Sequence, residues 1–131
     1  MQTETSRGPL TGPEGDGPVP TGGPWWRALL EMRWRARLQE VTELALAYHE
    51  AAAAADRGGG DDRLQAQRLR RLQRRTVASR RALADTEEAL ARLSAGRYGR
   101  CENCAGAIGV QRLAAMPETR YCARCARGRG R

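Results

Sequence analysis

The stretch Cys101-Glu102-Asn103-Cys104, followed after seventeen residues by Cys122-Ala123-Arg124-Cys125, decides how this chain is read. Each CxxC hook turns two thiolates toward a common point. The intervening excursion lets the second hook meet the first around one tetrahedral metal. Zinc suits four thiolates, because it is redox-silent and a structural site leaves it no open position. An iron–sulfur cluster would also accept four cysteines. The expected ligands are Cys101, Cys104, Cys122 and Cys125, holding one structural Zn2+. A redox-active CxxC is the rival, but such motifs rely on one thiol of lowered pKa at a helix start, and two hooks argue for one shared metal.

Outward from the cysteines, the bounds are tight. The chain has 131 residues, no Phe and only three Trp and three Tyr, so a large globular core is excluded. A finger of this size falls below the roughly 40 residues at which a domain usually folds without metal or disulfides. No apolar run approaches the roughly 20 residues of a membrane span. Residues 1–24 are rich in Gly and Pro and carry no signal-peptide stretch, so they read as a disordered leader. A cytoplasmic monomer without membrane contact is expected, where paired hooks are metal sites more often than disulfides.

Upstream of the finger, residues 25–57 contain no Gly or Pro and are dense in helix formers. Trp34, Leu38, Val41, Ala45, Tyr48, Ala52 and Ala55 form an apolar stripe with alternating steps of four and three, widened by Leu30 and Leu44. Gly58-Gly59-Gly60 breaks this helix, and Asp61-Asp62 stands where an N-cap belongs. A second such stretch, 63–95, has the stripe Leu69, Leu72, Thr76, Ser79, Leu83, Thr86, Leu90 and Leu93, flanked by Val77, with Gly96 as a C-cap. Two helices of equal length joined by so short a turn form an antiparallel hairpin. The expected architecture is therefore mainly α. A leader (1–24) precedes a long coiled-coil hairpin (25–95, tip 58–62), a small four-cysteine zinc finger (96–127) and a basic tail (128–131). At 1.5 Å per residue each helix would span about 50 Å.

All 23 basic residues are Arg, and the net charge of +8 lies in the second half: residues 61–100 sum to +6 and 101–131 to +4. Eight arginines fall between Arg63 and Arg81, among them Arg70, Arg74 and Arg81. One reading is a solvated face, partly paired with Glu40, Glu43 and Glu50; the other is a surface for an acidic partner. Arg97, Arg100, Arg112, Arg120 and Arg124 crowd the cysteines, either to neutralise the thiolates or to meet a partner. Asp61 and Asp62 are read either as caps of the second helix or as an acidic tip.

The stretch 96–125 resembles the DksA/TraR C4-type zinc finger, whose pattern C-x2-C-x3-I-x3-R-x4-P-x4-C-x2-C is filled by Cys101, Cys104, Ile108, Arg112, Pro117, Cys122 and Cys125. Gly96, Tyr98 and Gly99 also match that family's lead-in, and a helical hairpin directly upstream agrees with it. The resemblance implies a regulator, not an enzyme. Such a protein binds RNA polymerase core, inserts its hairpin into the secondary channel and modulates initiation, often with the alarmone ppGpp at the polymerase interface. In that family tip acids three residues apart matter; here Asp61 and Asp62 are adjacent. The family's ordered N-terminal segment and its helix after the last cysteine have no counterpart in this reading. The alternative is a zinc-ribbon protein that binds nucleic acid directly through the Arg-rich face of the second helix. A thiol oxidoreductase is the third.

Overall fold

The computed structural model describes residues 24–129, with the Arg129 side chain left aside; the leader expected over residues 1–24, Pro24 excepted, and the end of the basic tail lie outside the described residues. Among the described residues four helices follow one another: α1 (Pro24–Asp56), α2 (Asp62–Ser94), α3 (Val110–Ala115) and α4 (Ala123–Arg129). Among the described residues there is no strand, only an isolated antiparallel bridge between Arg100 and Ala107. Among the described residues no helix is long and apolar enough to cross a membrane. The described residues divide into two compact units, one of residues 33–85, the other of the described residues on either side of it.

Residues 33–85 hold the facing stretches of α1 and α2 and the turn between them. The turn is built from three glycines in the left-handed region, with φ of 76°, 82° and 100° at Gly58, Gly59 and Gly60. A Cβ would be strained at each. α2 then starts on a side-chain cap: Asp61 Oδ1 accepts from the backbone N–H of Arg63 (2.8 Å) and Leu64 (3.3 Å). Gln65 Nε2 donates to the Gly59 carbonyl at 3.0 Å and pins the turn to the first turn of the helix. Asp62 is exposed in that first turn.

The α2 stripe lies where the spacing puts it. Ser79 is buried, and Leu69, Leu72, Thr76 and Leu83 are half-buried. Val77 is 56% exposed. In α1 the seam is centred one residue from the middle of the expected stripe, toward the Leu30 and Leu44 that widen it. Leu44 and Ala51 are buried, while Leu38 is 41% exposed and Ala45 is also exposed. Val41, Tyr48 and Ala55 belong to both versions and are half-buried. The physical reason is size: turning the helix by one position buries Leu44 where Ala45 would have stood, and Leu removes more apolar surface from water. The shift brings Arg37 to the position expected for Leu38. Its Nε is buried without a partner, as is the Ser79 hydroxyl, so the seam carries two unsatisfied polar atoms among the described residues.

In the other unit, the first turns of α1, the last turns of α2 and the finger share one core. Trp26, Leu30, Ala89, Leu93, Tyr98, Ile108, Val110 and Leu113 are its buried members, with Cys101 among them. Trp26 stacks edge-on with Trp25 (centroids 4.6 Å apart) and lies 5.5 Å from Tyr98. Pro24 opens α1, a position where its missing N–H costs nothing. α2 ends in a Schellman motif: Gly96 (φ 75°) lets Gly96 N donate to Leu93 O (3.2 Å) and Arg97 N to Arg92 O (2.8 Å). The chain therefore turns directly from α2 into the finger. α4 corrects the sequence reading of a bare tail after Cys125, because the helix continues through Arg129. Gly128 lies within it and does not stop it, since a single helical Gly costs only about 1 kcal/mol.

Candidate metal centre

The first hook is a tight turn. Cys101 N donates to Gly106 O (2.8 Å), Ala105 N to Cys101 O (2.9 Å) and Ile108 N to Gly99 O (2.7 Å). Ala105 takes a positive φ of 64°, the one described non-glycine residue to do so. The second hook enters α4, with Ala126 N donating to Cys122 O at 2.8 Å. Glu102 N reaches Arg120 O at 2.8 Å and ties the two hooks together.

The structure brings all four cysteines to one point. Their Sγ atoms lie within 4.8 Å of one another, and Cys104 and Cys122 stand 3.9 Å apart. Zn–S bonds of about 2.3 Å put the sulfurs of a tetrahedral site about 3.8 Å apart, so the cluster fits one zinc. No disulfide pairs them. Four thiolates complete the coordination sphere, so this is a site for one structural zinc.

Charge at the sulfurs is met by N–H donors. Asn103 N donates to Cys101 Sγ (3.4 Å), Gly106 N to Cys104 Sγ (3.4 Å) and the Asn103 carboxamide to Cys125 Sγ (3.3 Å). Burial pushes the Cys101 thiol up, but hydrogen bonds from the backbone at Cys104, Cys122 and Asn103 outweigh it and bring the group down to about 6. Cys122 is also lowered, chiefly by the Cys125 backbone. Cys125 goes the other way, to about 11: the Asn103 hydrogen bond lowers it, but the Cys122 thiol, burial and the remaining two thiols together reverse that.

The arginines around the cluster are mostly braces. Arg112 Nε donates to Tyr121 O at 2.8 Å and its Nη2 reaches Thr119 Oγ1 at 3.4 Å, fixing the approach to the second hook. Arg100 reaches Ala105 O at 3.3 Å, and Arg120 pairs with Glu88. Arg97 and Arg124 are exposed. None of the five is seen to donate to a sulfur among the described residues. Two residues carry more of the site than their sequence context discloses. Asn103 serves two sulfurs. Arg92, only 5% exposed, donates to the carbonyls of Glu118 (3.2 Å) and Thr119 (3.4 Å) and stands 3.9 Å from Glu102. Tyr98 and Thr86 close the same loop, the phenol on Pro117 O and the hydroxyl on Glu118 Oε2, each at 2.8 Å.

The remaining sequence candidates belong to the unit of residues 33–85, which contains none of the four cysteines. Asp61 is a cap and Asp62 is exposed beside it. Arg70, Arg74 and Arg81 are exposed on α2.

Comparison with known proteins agrees with this geometry. Residues 96–129 match the prokaryotic dksA/traR C4-type zinc finger. A 44-residue stretch is 48% identical to an uncharacterized protein of Aquifex aeolicus (strain VF5), a match that covers 34% of this chain and 30% of that protein. The fold is similar to that of transcription factor DksA2 from Pseudomonas aeruginosa, with a TM-score of 0.70 at 20% identity over 81% of each chain. The chain thus carries a DksA/TraR C4-type zinc finger on a DksA-like helical fold.

Proposed function

We propose that this chain is a cytoplasmic transcription regulator, not an enzyme, that binds RNA polymerase core and presents the α1–α2 turn within the secondary channel. ppGpp at the polymerase interface is part of that reading. The observation that carries it is the division of labour in the turn. Asp61 spends its carboxylate on two backbone N–H groups, while Asp62 is exposed beside it. A cap alone needs one carboxylate. The second is available to act on charged groups or a metal ion of a partner. Zinc bound by four thiolates has no open position for a catalytic water, which supports a structural finger over a hydrolytic one.

The test is transcription with purified polymerase and the full chain. Asp62→Asn removes the exposed charge and leaves the cap, so polymerase capture should hold while promoter-complex lifetimes change. Asp61→Asn keeps capping capacity and serves as the control. Failure of the wild-type chain to co-purify with core polymerase would end this reading. Unchanged lifetimes with Asp62→Asn at saturating protein would remove the tip from it.

A further inference from the structure

Between Arg63 and Arg81, α2 carries eight arginines, and no acid occurs from residue 63 to residue 84. All eight are exposed. Among the described residues none of their guanidinium groups is seen in an ion pair or a hydrogen bond, so the pairing with Glu40, Glu43 and Glu50 that the sequence suggested does not occur. Helix phase explains why. At about 100° per residue, Arg63, Arg70, Arg74 and Arg81 fall within an arc of about 40°, opposite the seam of Leu69, Leu72, Thr76, Ser79 and Leu83. The row therefore points away from α1, with Arg71 and Arg75 along one flank. Beside it Arg70, Gln73, Arg74 and Val77 line an open recess of about 420 Å³.

We infer that this face of α2 binds the phosphodiester backbone of a nucleic-acid duplex, without sequence preference. The four arginines of the row and the two on its flank, over about 27 Å of helix, give about one charge per 4.5 Å, the same order as the roughly one per 3.4 Å of one strand of duplex DNA. Guanidinium groups suit the role, since each can bind a phosphate bidentately. An acidic protein surface is the poorer match: protein interfaces deplete charge at their centre and anchor on aromatic residues and Met, and residues 63–81 contain no Trp, Tyr or Met. A single strand is also a poorer match, because single-strand binders stack bases on aromatic side chains. Contacts of this kind fix position on the backbone and read no bases.

Fluorescence anisotropy of the full chain with a labelled DNA duplex of arbitrary sequence, from 50 to 200 mM salt, tests this without polymerase. Its outcome is therefore independent of the polymerase reading. Binding should weaken steeply with salt. Arg70→Gln/Arg74→Gln/Arg81→Gln, all at exposed positions, should lower the slope of log K against log salt by about 3, at about 0.9 per phosphate contact. Circular dichroism should stay unchanged. The finger variant Arg97→Gln/Arg124→Gln/Arg127→Gln loses the same charge and should keep the wild-type slope. No binding at 50 mM salt, equal losses in both triple variants, equal competition by polyglutamate, or tighter binding of a single strand would each overturn the inference.

Discussion

Asn103 is the residue whose role depends most on the fold. Its backbone N–H serves Cys101 and its carboxamide serves Cys125, so it touches one sulfur of each hook. Groups that hydrogen-bond metal ligands typically set affinity by 10–100-fold. Asn103→Ala should therefore weaken zinc binding by about 10-fold, read by competition with a chromophoric chelator, with helicity retained. An unchanged affinity would reduce Asn103 to a spacer. The pH dependence has a definite sign. Zinc needs every thiol deprotonated. Cys125, raised to about 11, must give up a proton to bind, whereas Cys101, lowered to about 6, holds its thiolate down to that pH. Zinc affinity should fall as the pH falls, and more steeply below about 6, where Cys101 also takes up a proton. The cysteine cluster was legible because ligand spacing is a local property of sequence. Asn103 was not, since nothing separates it from any other filler of a hook until Cys125 is brought beside it. Arg92 was hidden in the same way: on paper it is one more arginine of a basic helix, and only its place beneath the 117–119 loop buries it.

The two long helices differ in how much of their packing the sequence discloses. In α2 the leucines and hydroxyl residues keep one phase against a background of Arg, and the structure follows it. In α1 Leu38, Leu44 and Leu46 lie on different faces and the run from Ala51 to Ala55 fits any phase, so side-chain size decided. Leu44→Ala should accordingly cost about 2–3 kcal/mol, toward the low end for a buried Leu. Leu38→Ala, at a position 41% exposed, should cost well under half of that. Equal costs in urea unfolding would restore the expected phase. At the start of α2, Asp61→Ala should cost about 1 kcal/mol through loss of its cap, while Asp62→Asn should leave stability unchanged. α4 was not legible, because a short run of Arg, Ala and Gly carries no apolar period; the second hook delivers the chain into a helical turn, and the one unfavourable propensity, at Gly128, does not undo it.

At the scale of the whole chain, the finger is not a bead on a string. Its core residues Tyr98, Ile108, Val110 and Leu113 are continuous with Trp26 and Leu30 of α1 and with Ala89 and Leu93 of α2. The sequence marked the finger as too small to stand alone and named metal as its support; the second support, a pair of helix ends, became visible only when Trp26 and Tyr98 came together. Zinc binding is therefore linked to the burial of a tryptophan from the far end of the described chain, because a site formed only in the folded state adds its binding free energy to folding. Removing zinc with a chelator should loosen this core and expose Trp26, now 2% exposed and stacked against Trp25 and Tyr98. Tryptophan emission should shift to the red and near-ultraviolet circular dichroism should weaken. Much of the far-ultraviolet helical signal should persist, because the seam of residues 33–85 contains no metal ligand. Cys122→Ser should reproduce the metal-free spectrum without chelator, and Trp26→Ala should lower the resistance of bound zinc to chelation although it leaves every ligand in place. Unshifted emission in protein shown by elemental analysis to be zinc-free would mean that the helix ends hold the core by themselves and the metal only orders the hooks.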